Sequence, residues 1–273
     1  MRNAATLLSR SCWSLWRRQT LFWGIIVTQI LLALVLAVIL GDASGSIYNI
    51  SSFFAVAALL LMLSSVQLIS YLFELNQHFL KEHSRGMYSC FLYWLVTPLP
   101  MYVLRGTGAV LFSLITYRML NLTDDEDLRL YYYITTVVLV LGTTMLAEAV
   151  IYLVPSLRAA YILIPGLSFI QFSFSGLMLK PCLLPSWVAP WAPSSSMLRW
   201  VLQGQVINYF QDSPLFPALP GYNTYTHFLT LYGWGGKTKW YCLYMIFVFM
   251  AVFKMLALGS LVLRSSSAKG GRL

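Results

Sequence analysis

The sequence predicts an all-α protein that crosses a lipid bilayer with six helices. Of its 273 residues, 59% are hydrophobic and only 10% are charged, whereas a soluble domain carries roughly 25% charged residues. Six apolar runs reach or exceed the roughly 20 residues that a helix needs to cross a bilayer. The alternating pattern of a membrane barrel is missing from the sequence, and lipid offers no partner for an irregular backbone. Helices are therefore the expected spanning elements.

Each predicted span is one of these apolar runs. In chain order they are about Leu21–Leu40, Ser51–Phe73, Tyr93–Leu120, Tyr131–Val154, Ala159–Leu179 and Trp240–Leu263. The first run lacks the short apolar core and small-residue cleavage site of a signal peptide, so we expect it to remain as a span. Together the runs predict a membrane domain over residues 21–263.

The charges indicate which way the spans run. The formal net charge is +9, yet the loop Gly41–Ile50 has no Lys or Arg, and the loop "NLTDDEDLR" (121–129) is mostly acidic. Basic residues concentrate on the other side, which predicts cytoplasmic N- and C-termini. The basic charge thus reflects topology rather than nucleic-acid binding. It leaves open whether the membrane is the plasma membrane or that of an organelle.

Four segments outside the spans have patterns of their own. Residues 1–20 mix bulky apolar and basic residues, which predicts an amphipathic interfacial elbow helix. Residues 74–92 are polar and compatible with a helix up to Gly86, a residue type that commonly follows a helix end. Residues 180–239 are rich in Pro, Trp and Ser, so a re-entrant outer loop is expected. Residues 264–273 are the expected cytoplasmic tail.

The sequence contains no recognisable catalytic or metal-binding set. It has no H-E-x-x-H, G-x-S-x-G or Cys/His metal spacing, and no G-x-x-x-x-G-K-[ST] phosphate loop. We expect no catalytic residue, no metal and no bound cofactor in this chain, and no enzymatic activity of its own. Cys182 and Cys242 leave an external disulfide open, and the sequons at Asn49 and Asn121 are expected to be unmodified because they lie close to the membrane.

Four charged residues fall inside predicted spans; Arg118 lies near the outer end of the third, and the other three lie deeper, where a charge is costly and therefore a default functional candidate. Glu148 lies near the middle of the fourth span, and both a functional role and a helix-packing role stay open. Arg105 lies in the third span, where we expect its side chain to snorkel to the inner face. Lys254 in the sixth span is a candidate partner of Glu148, although the sequence does not establish contact.

Two motifs resemble the membrane domain of the G subfamily of ABC-2 type exporters, which includes the White pigment-precursor and multidrug half-transporters. The cytoplasmic turn of that family reads roughly E-x-x-x-G-x-Y-x-x-x-x-Y, and this spacing is matched by Glu82, Gly86, Tyr88 and Tyr93. A second set of family positions, before the last span, is matched by Phe174, Gly176, Trp187 and Asn208–Phe210, with Tyr209 in place of a glutamate. The end of the third span resembles the family's Y-x-M-x-G-L at 117–122, with Asn121 for glycine.

The resemblance implies roles for particular residues. The turn residues would couple the membrane domain to a nucleotide-binding domain. Phe169 and Phe172 would be candidates for a substrate cavity between two copies, although lipid-facing or packing phenylalanines are the other interpretation of the same pattern. Leu177 and Met178 match the family's apolar plug.

The resemblance also implies a function, the membrane (permease) subunit of an ATP-driven exporter. It would move apolar or amphipathic small molecules or lipids by alternating access, as a homo- or heterodimer. ATP and Mg would bind a nucleotide-binding domain in trans or on an N-terminal segment missing from this chain. Two alternatives stay open: a truncated half-transporter that acts as a dimerisation or regulatory partner, and an ATP-independent carrier or channel that uses Glu148.

Overall fold

The computed structural model describes residues 2–40, 47–119, 125–180, 184–210 and 229–270, and within them every regular element is helical. The helices are α1 (Arg2–Arg17), α2 (Gln19–Leu40), α3 (Ile47–Leu63), α4 (Ile69–His83), α5 (Cys90–Val96), α6 (Leu99–Met119), α7 (Glu126–Leu153), α8 (Leu157–Ser173), α9 (Met197–Phe210) and α10 (Lys239–Gly270). Short 3-10 turns occupy Ser64–Leu68 and Pro193–Ser195. The predicted all-α class is confirmed. The predicted positions Asn121, Leu122 and Cys182 lie outside the described residues.

Five helical segments of the described chain are long and apolar enough to cross a membrane. They are Gln19–Ile39, Asn49–His83, Cys90–Met119, Glu126–Leu153 and Lys239–Ser266. The second of these includes the 3-10 turn and continues beyond the predicted end at Phe73 to the end of α4 at His83. The third is interrupted where Thr97 and Pro98 separate α5 from α6, because proline has no N–H for the helix ladder. The chain is an integral membrane protein.

The predicted fifth span is shorter than expected. Its helix, α8, is apolar but ends at Ser173 after 17 residues, about 26 Å at the usual rise per residue. The expectation that this span continues to Leu179 is wrong, because the backbone turns at Gly176, whose φ is 96°. A Cβ at Gly176 would lie 2.9 Å from Nε1 of Trp234, so the turn also requires a residue without a side chain.

The long helix α7 lies at the centre of the bundle. Most of its residues are buried, and it contacts α3, α4, α6, α8, α9 and α10. Small residues allow these close approaches: a Cβ at Gly142 would lie 2.7 Å from Sδ of Met197 on α9. The helix α9, within the predicted outer loop, is buried along its whole length. Nearby, Cys242 is a buried free thiol.

Candidate functional site

The helix that continues from the second apolar segment ends in a glycine turn. The N–H of Gly86 donates to the carbonyl of His83 at 2.9 Å, and the N–H of Met87 donates to the carbonyl of Glu82 at 3.3 Å. This pair of bonds is a Schellman motif, in which the turn residue adopts the left-handed conformation. Gly86 has a φ of 75°. The predicted helix stop at Gly86 is therefore present.

Glu82 joins this turn to the N-terminal helix. Nη1 and Nη2 of Arg10 donate to Oε1 and Oε2 of Glu82 at 2.7 and 2.8 Å, and the hydroxyl of Tyr88 donates to the same carboxylate. A two-point contact of this kind fixes orientation as well as distance. An exposed ion pair contributes at most about 1 kcal/mol, and the Arg10 side chain is 52% exposed. The pair therefore positions α1 on the end of α4 more than it stabilises the fold.

Both donors to Glu82 are held in their protonated forms. The hydrogen bond to Glu82 raises the pKa of Arg10 above its ordinary value, although burial acts in the opposite direction. Burial raises the pKa of Tyr88, and its hydrogen bond to Glu82 raises that pKa further. At neutral pH the turn thus has a fixed arrangement of one carboxylate between two donors, which suits a mechanical contact better than proton transfer.

An aromatic stack lies behind the turn. Tyr93 is 2% exposed, and its ring centroid is 4.2 Å from that of Phe79 on α4. The rings of Tyr88 and Tyr152 lie 6.3 and 6.2 Å from Tyr93. Tyr93 also lines a cleft of about 250 Å³ together with Glu82. The four residues predicted to form a coupling turn therefore lie together at one end of the bundle, and Tyr152 connects them to the central helix α7.

Glu148 and Lys254 form an ion pair inside the bundle. Nζ of Lys254 lies 3.0 Å from both carboxylate oxygens of Glu148, and the two side chains are 16% and 1% exposed. Tyr102 donates its hydroxyl to Glu148, while Nζ of Lys254 donates to the hydroxyl of Tyr102 at 2.9 Å and to the carbonyl of Trp94 at 3.1 Å. We call this set the interior network. It joins α5, α6, α7 and α10, which favours the helix-packing interpretation of Glu148.

Arg105 is buried, and the expectation that it snorkels to the inner face is wrong. Its side chain is fully enclosed; Nη1 donates to Oγ of Ser64 at 2.9 Å and Nε to Oγ1 of Thr144 at 3.5 Å. No acidic side chain among the described residues pairs with it. The 3-10 turn places Ser64 beside Arg105. Hydroxyl oxygens in the interior therefore accept the hydrogen bonds of the guanidinium that water would accept at the membrane surface.

Comparison with known proteins decides the family. Residues 2–210 match the family described as ABC-2 type transporter. The chain belongs to the ABC-2 type transporter family. It is 26% identical over 242 residues to ABC transporter G family member 14 of Dictyostelium discoideum, and this alignment covers 82% of the present chain and 17% of that protein. It is 24% identical over 224 residues to ABC transporter G family member 11 of the same organism, covering 77% and 16%. The chain thus spans about a sixth of the length of these curated relatives, and the resemblance to the G subfamily is confirmed.

In this ABC-2 type chain, the predicted cavity and plug residues lie at the end of α8 and in the turn that follows it. Phe169 is 52% exposed and Met178 is 63% exposed. Phe172 and Leu177 are half-buried and pack against the core. The four residues therefore present two side chains outward and two inward at the same end of this helix.

Sequence reasoning missed four residues that contact the turn or the interior network: Arg10, Phe79, Tyr102 and Tyr152. Arg10 belongs to a recognisable basic segment, but Glu82 lies 72 residues away. Phe79 precedes His83 by one helical turn, a spacing that places two rings on one helix face. Tyr102 likewise precedes Arg105 by three residues, yet it contacts Glu148 instead. Tyr152 carries no pattern that distinguishes it from other buried aromatic residues.

Proposed function

We propose that this chain is the membrane subunit of an ATP-driven exporter that moves apolar or amphipathic small molecules or lipids by alternating access. The observation that carries the proposal is the turn after α4. The helix α4 is continuous with a spanning segment, and at its end the carboxylate of Glu82 accepts hydrogen bonds from Arg10 and Tyr88. Behind this turn, the helix packs on an aromatic stack that extends to α7. A push on this turn would be transmitted by rigid, packed elements, as a two-state transition requires.

The proposal includes a six-span topology with both termini in the cytoplasm. The helix α8 would be the fifth span, tolerated at 17 residues by local thinning of the bilayer, which costs only fractions of a kcal/mol per Å of mismatch. The helix α1 would lie at the cytoplasmic interface, with Trp13 and Trp16 at headgroup depth. Both are more than half exposed, and tryptophan is enriched at that depth. The buried helix α9 would belong to a re-entrant outer segment.

The substrate path would lie between two copies of the chain. Phe169 faces outward from α8, and a second copy related by a two-fold axis would present the same residue to it; Phe172, half-buried against the core, would line the slit only with its exposed edge. An aromatic slit of this kind suits flat apolar ligands. Leu177 and Met178 follow α8 directly and would separate inner and outer cavities.

ATP and Mg would bind a nucleotide-binding domain, since the 273 residues contain no phosphate loop. That domain would be carried by a separate subunit or by another part of the same polypeptide. The turn residues Glu82, Gly86, Tyr88 and Tyr93 would be its contact region.

The test is to purify the chain from its native membranes together with what it binds, and to reconstitute the preparation in vesicles. We expect an ATPase in the complex and export that vanadate inhibits. The variant Tyr88→Glu should retain membrane insertion and ATP hydrolysis but lose transport, because a second carboxylate would repel Glu82. Tyr88→Phe keeps the ring, removes only the hydroxyl and is the matched control, with a smaller loss expected.

Two results would reject the proposal. Export that continues in the absence of any ATPase would favour a carrier, and Glu148 would then become the first residue to replace. A complex that hydrolyses ATP without exporting, while its full-length partner exports alone, would favour a regulatory role. Transport with wild-type coupling in Tyr88→Glu would reject the coupling turn while leaving the exporter function standing.

A further inference from the structure

A cluster of arginines surrounds an open cavity where α1 meets the first spanning helix. The cavity has a volume of about 470 Å³ and is lined by Arg10, Trp13, Ser14, Arg17 and Arg18. Arg10, Trp13, Ser14 and Arg17 repeat every three or four residues, so they share one face of α1. The adjoining stripe of this helix, with Leu7 and Leu15, is buried against the bundle.

The charges around this cavity are not balanced. Arg10 is paired with Glu82, and Arg18 contacts Glu74. Arg17 is exposed and makes no hydrogen bond or ion pair with the part of the chain that the structure describes. Three guanidinium groups therefore face two carboxylates. The paired arginines keep N–H donors that these contacts do not use, because a guanidinium has five donors.

The position of the cavity indicates which kind of anion can reach it. The spanning helix α2 begins at Gln19, directly after Arg17 and Arg18, so these two side chains lie at the boundary between water and lipid. Trp13 and Trp23, on either side of the junction, are 65% and 59% exposed, as expected for side chains at headgroup depth. Arginine matches the geometry of a phosphate group, and a basic cluster just cytoplasmic of a span favours anionic lipid.

We propose that this cavity binds the phosphate-bearing headgroup of an anionic phospholipid of the cytoplasmic leaflet. Arg17 supplies the free charge, Arg10 and Arg18 supply additional donors, and the hydroxyl of Ser14 is a further donor. Trp13 packs beside the headgroup. The inference uses the interfacial placement of α1 proposed above, but it does not depend on coupling to ATP, on the substrate or on a second copy.

The experiment is a lipid titration followed by native mass spectrometry of the full chain, purified in detergent and stripped of lipid. Phosphatidylglycerol and phosphatidylcholine with identical acyl chains are compared. We expect one saturable phosphatidylglycerol adduct that forms at lower concentration than any phosphatidylcholine adduct. Arg17→Gln should weaken that adduct about fivefold, the effect of one basic residue at an anionic surface, and Arg17→Lys should weaken it less.

The matched control is Arg158→Gln, which removes an exposed arginine at the start of α8 and lies outside the cavity. It should leave the adduct unchanged. A second readout is the quenching of tryptophan by brominated phosphatidylglycerol, which should fall in Trp13→Phe. Elution as a single species on size exclusion verifies that each variant is folded.

Three outcomes would overturn the inference. Equal binding of the two lipids would show that the phosphate charge is not selected. An equal loss in Arg17→Gln and Arg158→Gln would show a general field effect instead of a site. Displacement of the lipid by soluble glycerol phosphate at similar concentration would show a site for free anions. None of these outcomes bears on whether the protein exports a substrate, because the assay contains neither ATP nor a transport step.

Discussion

Replacing Glu148 by glutamine would remove the negative charge from the interior network while keeping nearly the same side-chain shape. Lys254 would then be left without its counter-charge, with 16% of its side chain exposed. At a separation of 3.0 Å and an effective dielectric constant of about 20, the lost attraction is about 5 kcal/mol. Measured costs of breaking a buried pair are about 3–5 kcal/mol. Because Lys254 has some access to solvent, we expect a loss of about 3 kcal/mol.

The assay is the apparent melting temperature of the detergent-solubilised protein. One kcal/mol corresponds to about 2–4 °C for a chain of this size, so Glu148→Gln should melt roughly 6–12 °C lower than the wild type. The double variant Glu148→Gln/Lys254→Met should recover most of this loss, because neither charge is then left alone in the interior.

The control is the same substitution in an exposed pair. Glu126 contacts Arg129 at 3.2 Å, but its carboxylate is 89% exposed, so Glu126→Gln should change stability by less than about 1 kcal/mol. If Glu148→Gln had the same melting temperature as the wild type, Glu148 would not be the counter-charge of Lys254, and the stabilising role of the interior network would be rejected. A carrier role for the same carboxylate would then regain support.

Three further predictions concern stability and coupling. Gly86→Ala should lower the free energy of unfolding by about 1–2 kcal/mol, since only the left-handed backbone disfavours alanine there. Gly176→Ala should lower it more, because the added Cβ would also collide with the indole ring of Trp234. Denaturant titration of both variants checks this order. Arg105→Met should leave stability unchanged or raise it by about 1–2 kcal/mol, since it removes an unpaired buried charge, and a lower melting temperature would indicate a hidden anionic partner. Arg10→Gln should shift the melting temperature by no more than about 4 °C but reduce ATP-driven transport several-fold, and full transport would exclude a role for its pair with Glu82.

Local patterns in the sequence located the helices well. Apolar runs determine where a chain can cross lipid, and the structure has helices at all six runs. Gly86 was predictable as a helix stop because its conformational freedom is a property of the residue itself. The early end of α8 had a signal as well, since Gly176 interrupts the apolar run, but a glycine within a membrane helix is common and so does not by itself predict an end.

The pairing of Glu148 with Lys254, a candidate from the sequence, is present in the structure, but the sequence did not establish it, and the other contacts of the site were not predicted because they depend on distant parts of the chain. Glu148 and Lys254 lie 106 residues apart, and Arg10 lies 72 residues from Glu82. Whether Arg105 reaches the interface depends on which hydroxyl groups surround it, and the 3-10 turn that brings one of them close has no counterpart in the apolar pattern. Burial of a charged side chain is a property of the packed bundle.

The side-chain bonds of α4 indicate how a movement at the turn after α4 would reach the proposed substrate path. This helix carries Glu82 at one end, and about 18 Å earlier along its axis it carries Ser70, whose Oγ lies 2.7 Å from the hydroxyl of Tyr161 on α8. The helix α8 also carries Phe169 and Phe172. A displacement of the turn would therefore have two routes into the bundle, one along α4 to α8 and one through the rings of Tyr93 and Tyr152 to α7. The interior network ties α7 to α5, α6 and α10, so the second route would reach the rest of the bundle, whereas the first ends on the helix that carries Phe169 and Phe172.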